Sequence, residues 1–206
     1  MKVKKGILIV FEGIDGSGKS TQVQILRKIL EDKGLDVVDF REPSQSPWGQ
    51  KIKEKAALPD SLSPEEELEL FVKDRKDNVQ KNLRPALAKN KIVLLDRYYF
   101  STMAYQGAKG LDVEKIRQMN ESFAIRPDMV FILDVDAGKA LHRIQDRKNK
   151  DLLFERLDYL VEVRKKFRHF QGENIFHIDS EKTPEEISKI ISSVVFKYIH
   201  NDLQLS

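Results

Sequence analysis

Near the amino terminus the segment Gly13-Ile14-Asp15-Gly16-Ser17-Gly18-Lys19-Ser20 matches the pattern GxxxxGK[ST] in full. The apolar run Ile7–Glu12 precedes it. An amphipathic stretch over Lys19–Lys33 follows, with Val23, Leu26 and Leu30 recurring at helical spacing and a stop at Gly34. A strand, a glycine loop and a helix in that order leave few architectures open. The glycines let backbone N–H groups converge on an anion where side chains would obstruct them. The helix then points its positive end at the same place. The anion this geometry suits is a nucleotide's phosphate chain, with Lys19 reaching its outer phosphates and Ser20 offering an oxygen to Mg²⁺.

Four more apolar runs, Val37–Arg41, Ile92–Asp96, Met129–Asp134 and Ile175–Asp179, read as strands buried on both faces. Two helices carry the same start signal. Ser63-Pro64-Glu65-Glu66 and Thr183-Pro184-Glu185-Glu186 each place a hydroxyl at N-cap, proline at N1 and glutamate at N3. The first is expected to present Leu68, Phe71, Val72 and Val79 on one face, the second Ile187, Ile190, Ile191 and Val194. A further amphipathic stretch covers Phe154–Phe170. The expected fold is α/β: a three-layer P-loop architecture with a five-stranded, mostly parallel sheet, helices on both faces and a short lid at about 143–155. No linker or repeat interrupts the 206 residues, so a single domain over 1–206 is expected.

The chain has no cysteine, which excludes disulfides, thiolate metal sites and a cysteine nucleophile. The 36 basic and 33 acidic residues interleave, leaving a net charge of +3 and no concentrated basic face, so no nucleic-acid partner is expected. No apolar run approaches the roughly 18 residues of a membrane span, and Glu12 breaks the early apolar stretch, so no membrane association and a cytoplasmic location are expected. The four histidines, His142, His169, His177 and His200, lack metal-ligand spacing.

A phosphate loop alone does not name a reaction. A GTPase would need a guanine-reading NKxD after a later strand. The nearest approach, Asn149-Lys150-Asp151-Leu152, has leucine in the last place and sits in charged sequence.

The third strand ends in Leu94-Leu95-Asp96-Arg97-Tyr98-Tyr99-Phe100-Ser101, followed by Thr102-Met103-Ala104-Tyr105-Gln106-Gly107. With Phe11-Glu12-Gly13 through Ser20-Thr21, Arg41-Glu42-Pro43, Leu70-Phe71-Val72-Lys73-Asp74-Arg75, and Arg126-Pro127-Asp128 before Leu133-Asp134-Val135-Asp136, it resembles the thymidylate kinases in order along most of the chain. The resemblance implies an ATP- and Mg²⁺-dependent transfer that makes dTDP from dTMP, in a homodimer. ATP would be held by Gly13, Ile14, Asp15, Gly16, Ser17, Gly18, Lys19, Ser20, Thr21 and Arg143, with Mg²⁺ at Ser20 and Asp96. The acceptor would meet Asp15, Phe71, Arg75, Arg97, Ser101, Tyr105 and Gln106. Lys19, Arg97, Asp15 and Arg147 would serve the transfer itself.

For each side chain the implied role stands beside a plainer one. Arg97 would fork onto the acceptor phosphate, or form a structural ion pair. Asp96 would orient metal-bound water, or be structural. Phe71 would stack on thymine, or belong to the core beside Leu68. Arg75, one turn on, would bond the base, since a core helix has little use for an arginine on that side. Ser101 and Gln106 would lie near the base. Tyr105 would crowd the 2′ position of the sugar, or simply pack. Asp15 would approach the sugar 3′-OH, or cap its own loop. The phosphate loop holds no arginine between Gly13 and Lys19, so stabilising charge is expected from a lid carrying Arg143, Arg147, Lys148, Lys150 and Arg156, Arg147 first among them, unless these are plain solvated cations.

The chain departs from the family after Arg41-Glu42-Pro43, where Ser44-Gln45-Ser46-Pro47-Trp48-Gly49 replaces the usual glycine pair and threonine; Glu42-Pro43 is a candidate cis bond. Other readings of the whole are a kinase of another nucleoside monophosphate such as dUMP or UMP, a deoxynucleoside kinase with Glu12 cast as base, and a non-catalytic ATP-binding regulator.

Overall fold

The computed structural model describes residues 3–56, 58, 61–144 and 150–204, with backbone alone for 150–155 and 201–204. Five strands form one sheet: β1 (Ile7–Glu12), β2 (Val37–Arg41), β3 (Ile92–Asp96), β4 (Met129–Asp134) and β5 (Ile175–Asp179), in the spatial order β2-β3-β1-β4-β5. All the pairings are parallel, β1 with β3 and β4, β2 with β3, and β4 with β5. Parallel neighbours need a crossover between them, and helices supply every one.

Although β1 is apolar throughout, its side chains divide by the two-residue period of a strand. Leu8 and Val10 enter a core shared with Val93, Leu95, Val130 and Ile132. Ile7, Ile9 and Phe11 enter a second core on the opposite face, with Ile92, Leu94, Met129 and Phe131. The second core is closed by α1 (Lys19–Asp32) and α9 (Pro184–Gln204) through Val23, Leu26, Leu30, Ile187, Ile191, Val195 and Ile199. The first is closed by a π-helical turn at Val79–Leu83, by α4 (Arg84–Ala88), α5 (Tyr99–Ala108), α6 (Val113–Glu121), α7 (Ala137–Ile144) and α8 (Lys150–His169). The remaining helices, α2 (Pro47–Ala56) and α3 (Pro64–Asn78), pack on each other beside it.

Two expected helix faces are corrected. On α9 the buried residues step by four, so Ile190 is 37% exposed rather than inside. On α3, Val79 is buried but already belongs to the π-helical turn, which widens the helix there, and Phe71 packs into neither core. Both capping boxes form: the Ser63 hydroxyl accepts from the Glu66 amide at 3.2 Å, and that of Thr183 from the Glu186 amide at 3.3 Å. Each such cap stabilises its helix by about 1 kcal/mol.

Candidate active site

The glycine loop joins the buried end of β1 to α1. Gly16 stands at φ 78°, and a Cβ there would come within 2.4 Å of the Ala140 carbonyl oxygen on α7, so no other residue fits. Unlike α3 and α9, α1 begins without a side-chain cap, on Gly18 in a left-handed conformation. Its first N–H groups therefore remain for a ligand. Lys19 is 6% exposed and curls back over the loop, donating to the carbonyls of Gly13 at 3.0 Å and Ile14 at 2.9 Å. Burial, helped by the nearby Arg97 charge, pulls its ammonium down to about 7. Ile14 itself is buried in the first core, which anchors the loop from beneath.

The Ser20 hydroxyl donates to Asp96 Oδ2 at 2.5 Å. Asp96 ends β3 beside β1 and is 3% exposed, and its other oxygen, Oδ1, is buried with no partner among the described residues. An orphaned carboxylate oxygen beside a loop serine is a donor set that suits hydrated Mg²⁺.

A cleft of about 570 Å³ opens along the loop and reaches Thr21, Arg41, Arg143, Ser180 and Lys182. Arg143 spans it, donating to the carbonyls of Gly16 at 3.3 Å and Ser180 at 3.2 Å. The buried Ser180 hydroxyl bonds the Ser17 carbonyl from below. Sequence reasoning missed Ser180 and Lys182. The available signal was their place between the carboxyl end of β5 and the capped start of α9, where parallel sheets hold ligands.

Arg97 leaves β3 at φ 72°, a conformation uncommon outside glycine and costing about 1–3 kcal/mol. Its amide still extends the sheet, donating to Phe11 O at 3.0 Å, so the turn throws the side chain across the loop. There Nη2 donates to Asp15 Oδ1 at 2.7 Å, and Nη1 to Ser101 Oγ at 2.9 Å. Burial works against the cation, but Tyr105, Asp15 and Glu12 more than offset it, so Arg97 stays charged. The Tyr105 hydroxyl accepts from the Asp15 amide at 3.1 Å and donates to its carboxylate at 3.3 Å. Burial raises the Asp15 carboxyl, while Arg97 and Lys19 outweigh it and hold the group below its ordinary value.

Glu12 is fully buried and holds the start of α5: it accepts from the Tyr98 amide at 2.8 Å and the Ser101 hydroxyl at 2.5 Å. Burial pushes it up to about 7 in spite of those bonds. The Ser101 hydroxyl thus bridges Glu12 and Arg97.

Arg75 is 1% exposed, and a core helix does have a use for it. Its Nε donates to Glu42 at 2.8 Å, Nη1 to Asn120 at 2.6 Å and Nη2 to Thr102 at 2.9 Å. A guanidinium has five N–H groups, so one remains on each terminal nitrogen. Gln106 donates to Glu67 at 2.6 Å, and its Oε1 is buried with no partner among the described residues. Phe71 is half-buried on the same helix as Arg75. Arg147 and Lys148 lie outside the described residues, as does the side chain of Lys150.

The family model for thymidylate kinase matches residues 11–191, from β1 into α9. The chain belongs to the thymidylate kinase family. A thymidylate kinase of Akkermansia muciniphila is 47% identical over 185 residues, covering 90% of this chain and 89% of that protein. One from Brachyspira hyodysenteriae is 41% identical over 191 residues, covering 93% and 94%, and a protein named probable thymidylate kinase from Archaeoglobus fulgidus is 43% identical over 194 residues, covering 94% and 97%. Like the rest of the thymidylate kinase family, the chain is an enzyme, a phosphotransferase that binds nucleotides.

Proposed function

We propose that this chain transfers the γ-phosphoryl group of ATP to the phosphate of dTMP, releasing ADP and dTDP. The observation that carries this reading is Arg97, strained, charged and crossed over the phosphate loop between Asp15 and the start of α5. Donor and acceptor are both anionic, and a guanidinium between them relieves the repulsion as a phosphate oxygen of dTMP attacks the γ-phosphorus and the bond to ADP breaks. Lys19 shifts from the loop carbonyls to the donor phosphates, and the uncapped start of α1 gives its N–H groups to the same anion. Ser20 and Asp96 hold Mg²⁺, which when bound neutralises charge on the phosphate chain. Arg147 adds charge from the lid, and Arg143 lies against the adenine end of the cleft.

At the acceptor end Phe71 stacks on thymine, the two remaining N–H groups of Arg75 face its carbonyl, and Gln106 Oε1 accepts from its ring N–H. Asp15 meets the sugar 3′-OH, and Tyr105 closes the 2′ side. Positioning carries the rate, because a phosphate oxygen needs no base. A kinase acting on a sugar hydroxyl would want one, and Glu12, the carboxylate cast for that, is committed to α5. We further propose that the enzyme is cytoplasmic and a homodimer, as its family resemblance implies.

The test is ADP release from ATP and Mg²⁺ with dTMP, dUMP, UMP, dCMP, dAMP, AMP, dGMP, GMP and thymidine as matched acceptors. A clear dTMP preference, lost by orders of magnitude in Lys19→Ala, is the expected outcome. Preference for another monophosphate, or for thymidine, would overturn the acceptor assignment.

A further inference from the structure

The loop between β2 and α2 holds none of the residues assigned to phosphate above, yet it is tied down from several sides. Asp74, on α3 and 1% exposed, accepts from the Ser44 amide at 2.8 Å, the Ser44 hydroxyl at 2.6 Å and the Ser46 hydroxyl at 2.6 Å. Each hydroxyl is also used from its other side. Ser44 Oγ accepts from the Ser46 amide at 3.0 Å, and Ser46 Oγ accepts from the Gly49 amide at 3.1 Å, which caps the first turn of α2. Lys53 donates to the Ser44 carbonyl at 3.0 Å. A Cβ on Gly49 would come within 2.2 Å of that same oxygen, so α2 lies directly on the loop.

The dependence runs both ways. A buried carboxylate is costly unless its oxygens are satisfied. Asp74 forms no ion pair among the described residues, and hydroxyls and an amide of this one loop take its place. If the loop lifts, Asp74 is left buried and bare; if Asp74 is lost, three donors of the loop lose their acceptor. Loop and helix are therefore locked together.

What the lock holds is the acceptor side of the site. Arg75 follows Asp74, and Phe71 lies one turn before it. Glu42, which leads into the loop, takes Arg75 Nε at 2.8 Å and Asn78 Nδ2 at 3.1 Å. Residues 74, 75 and 78 thus grip the segment 42–46 with five hydrogen bonds. The segment begins at the carboxyl end of β2, whose Arg41 is paired in register with Asp96, the residue before Arg97.

We propose that Ser44 and Ser46 are positioning residues for the acceptor. Acting through Asp74, they fasten the β2–α2 loop to α3, so the wall made by Phe71 and Arg75 is set before the acceptor arrives. This inference rests on the dTMP reading and deepens it. A preformed wall spares the acceptor the cost of ordering the loop. Loosening it weakens acceptor binding and leaves ATP, which lies along the phosphate loop, unaffected.

The experiment compares the parent with Ser44→Ala, the double variant Ser44→Ala/Ser46→Ala, and Ser46→Thr, each by steady-state kinetics with dTMP varied at saturating ATP and then the reverse. The double variant is expected to raise the KM for dTMP roughly tenfold or more, as loss of two charge-assisted hydrogen bonds implies. Its kcat and its KM for ATP should stay within about twofold of the parent. Ser46→Thr, which keeps the hydroxyl, should match the parent. If the double variant does not fold, Ser44→Ala alone, which leaves the α2 cap in place, should still raise the KM for dTMP roughly threefold. A variant that melts earlier with an unchanged KM for dTMP, or one that raises both KM values equally, would show the lock to be structural only and overturn the proposal. A parent that does not turn over dTMP would instead sink the acceptor assignment, and this inference with it.

Discussion

The Ser20 hydroxyl and Asp96 Oδ2 meet at 2.5 Å across the gap between the first turn of α1 and the end of β3, leaving Asp96 Oδ1 buried and unpartnered among the described residues. In the proposed site Asp96 would orient water on Mg²⁺, and altering a carboxylate in such a place typically changes metal affinity or activity about 10–100-fold. Asp96→Asn is expected to fold normally, to lose turnover by about that factor, and to need more Mg²⁺ for half-maximal rate. A Mg²⁺ titration of the rate checks this; an unchanged midpoint would make Asp96 a purely structural carboxylate.

Phe71 is half-buried yet belongs to neither core, so its truncation should leave the fold standing. Stacking of a base on an aromatic ring contributes about 1–3 kcal/mol. Calorimetric titration of Phe71→Ala should show dTMP binding weakened by that amount and ATP binding unchanged. Equal weakening of both ligands would mean that the ring supports the fold.

Tyr105 joins bulk and polarity in one side chain, and two substitutions separate them. Its hydroxyl bridges the amide and carboxylate of Asp15, while its ring lies 5.1 Å from the Arg97 guanidinium. Tyr105→Phe keeps the ring and should preserve discrimination against ribonucleotides while lowering kcat/KM, because Asp15 loses its brace. Tyr105→Ala should raise activity on ribonucleotides relative to dTMP. A ratio unchanged in Tyr105→Ala would remove the sugar-reading role.

Burial, with the Arg97 charge beside it, pulls the Lys19 ammonium down to about 7 from the 10.5 of a free lysine. A triphosphate beside the amine favours its charged form, so ATP binding above about pH 7 is expected to be accompanied by proton uptake. Uptake should vanish below about pH 6, where Lys19 is already charged, and should be absent in Lys19→Met. Calorimetry in buffers of different ionisation enthalpy reads it directly. In the free protein the unfolded chain holds the extra proton between about 7 and 10.5, so stability should rise with pH across that window. No buffer dependence at pH 8 would mean the ammonium survives burial.

The sheet could be read from sequence because its signal is local. Each buried strand is a short apolar run, and all five begin and end where those runs do. The starts of α3 and α9 were equally plain, since capping chemistry is written within four residues. What could not be read was anything decided by a distant partner. Nothing near Arg75 in sequence explains an arginine on a buried helix face; its partner Glu42 lies 33 positions away. Asp74 looks like one more surface acid, and only the fold brings Ser44 and Ser46 onto it. Val79 is buried as its face requires, but it opens a π-helical turn instead of continuing α3, and no local residue pattern announces that turn. The phosphate loop was legible as a motif, whereas the strained Arg97 that faces it is a product of how β3 ends.

The absence of a Cβ at Gly16 has a mechanical meaning. The loop's backbone rests against the Ala140 carbonyl of α7 at a separation that a single carbon would close to 2.4 Å, and Arg143 on the same helix bonds the Gly16 carbonyl. Nothing compressible lies between the two. Hard contacts of this sort transmit displacement rather than absorb it. The floor under Gly16 is therefore backbone of a helix and not a pliable side chain, and bulk added at Gly16 would have to displace α7 itself.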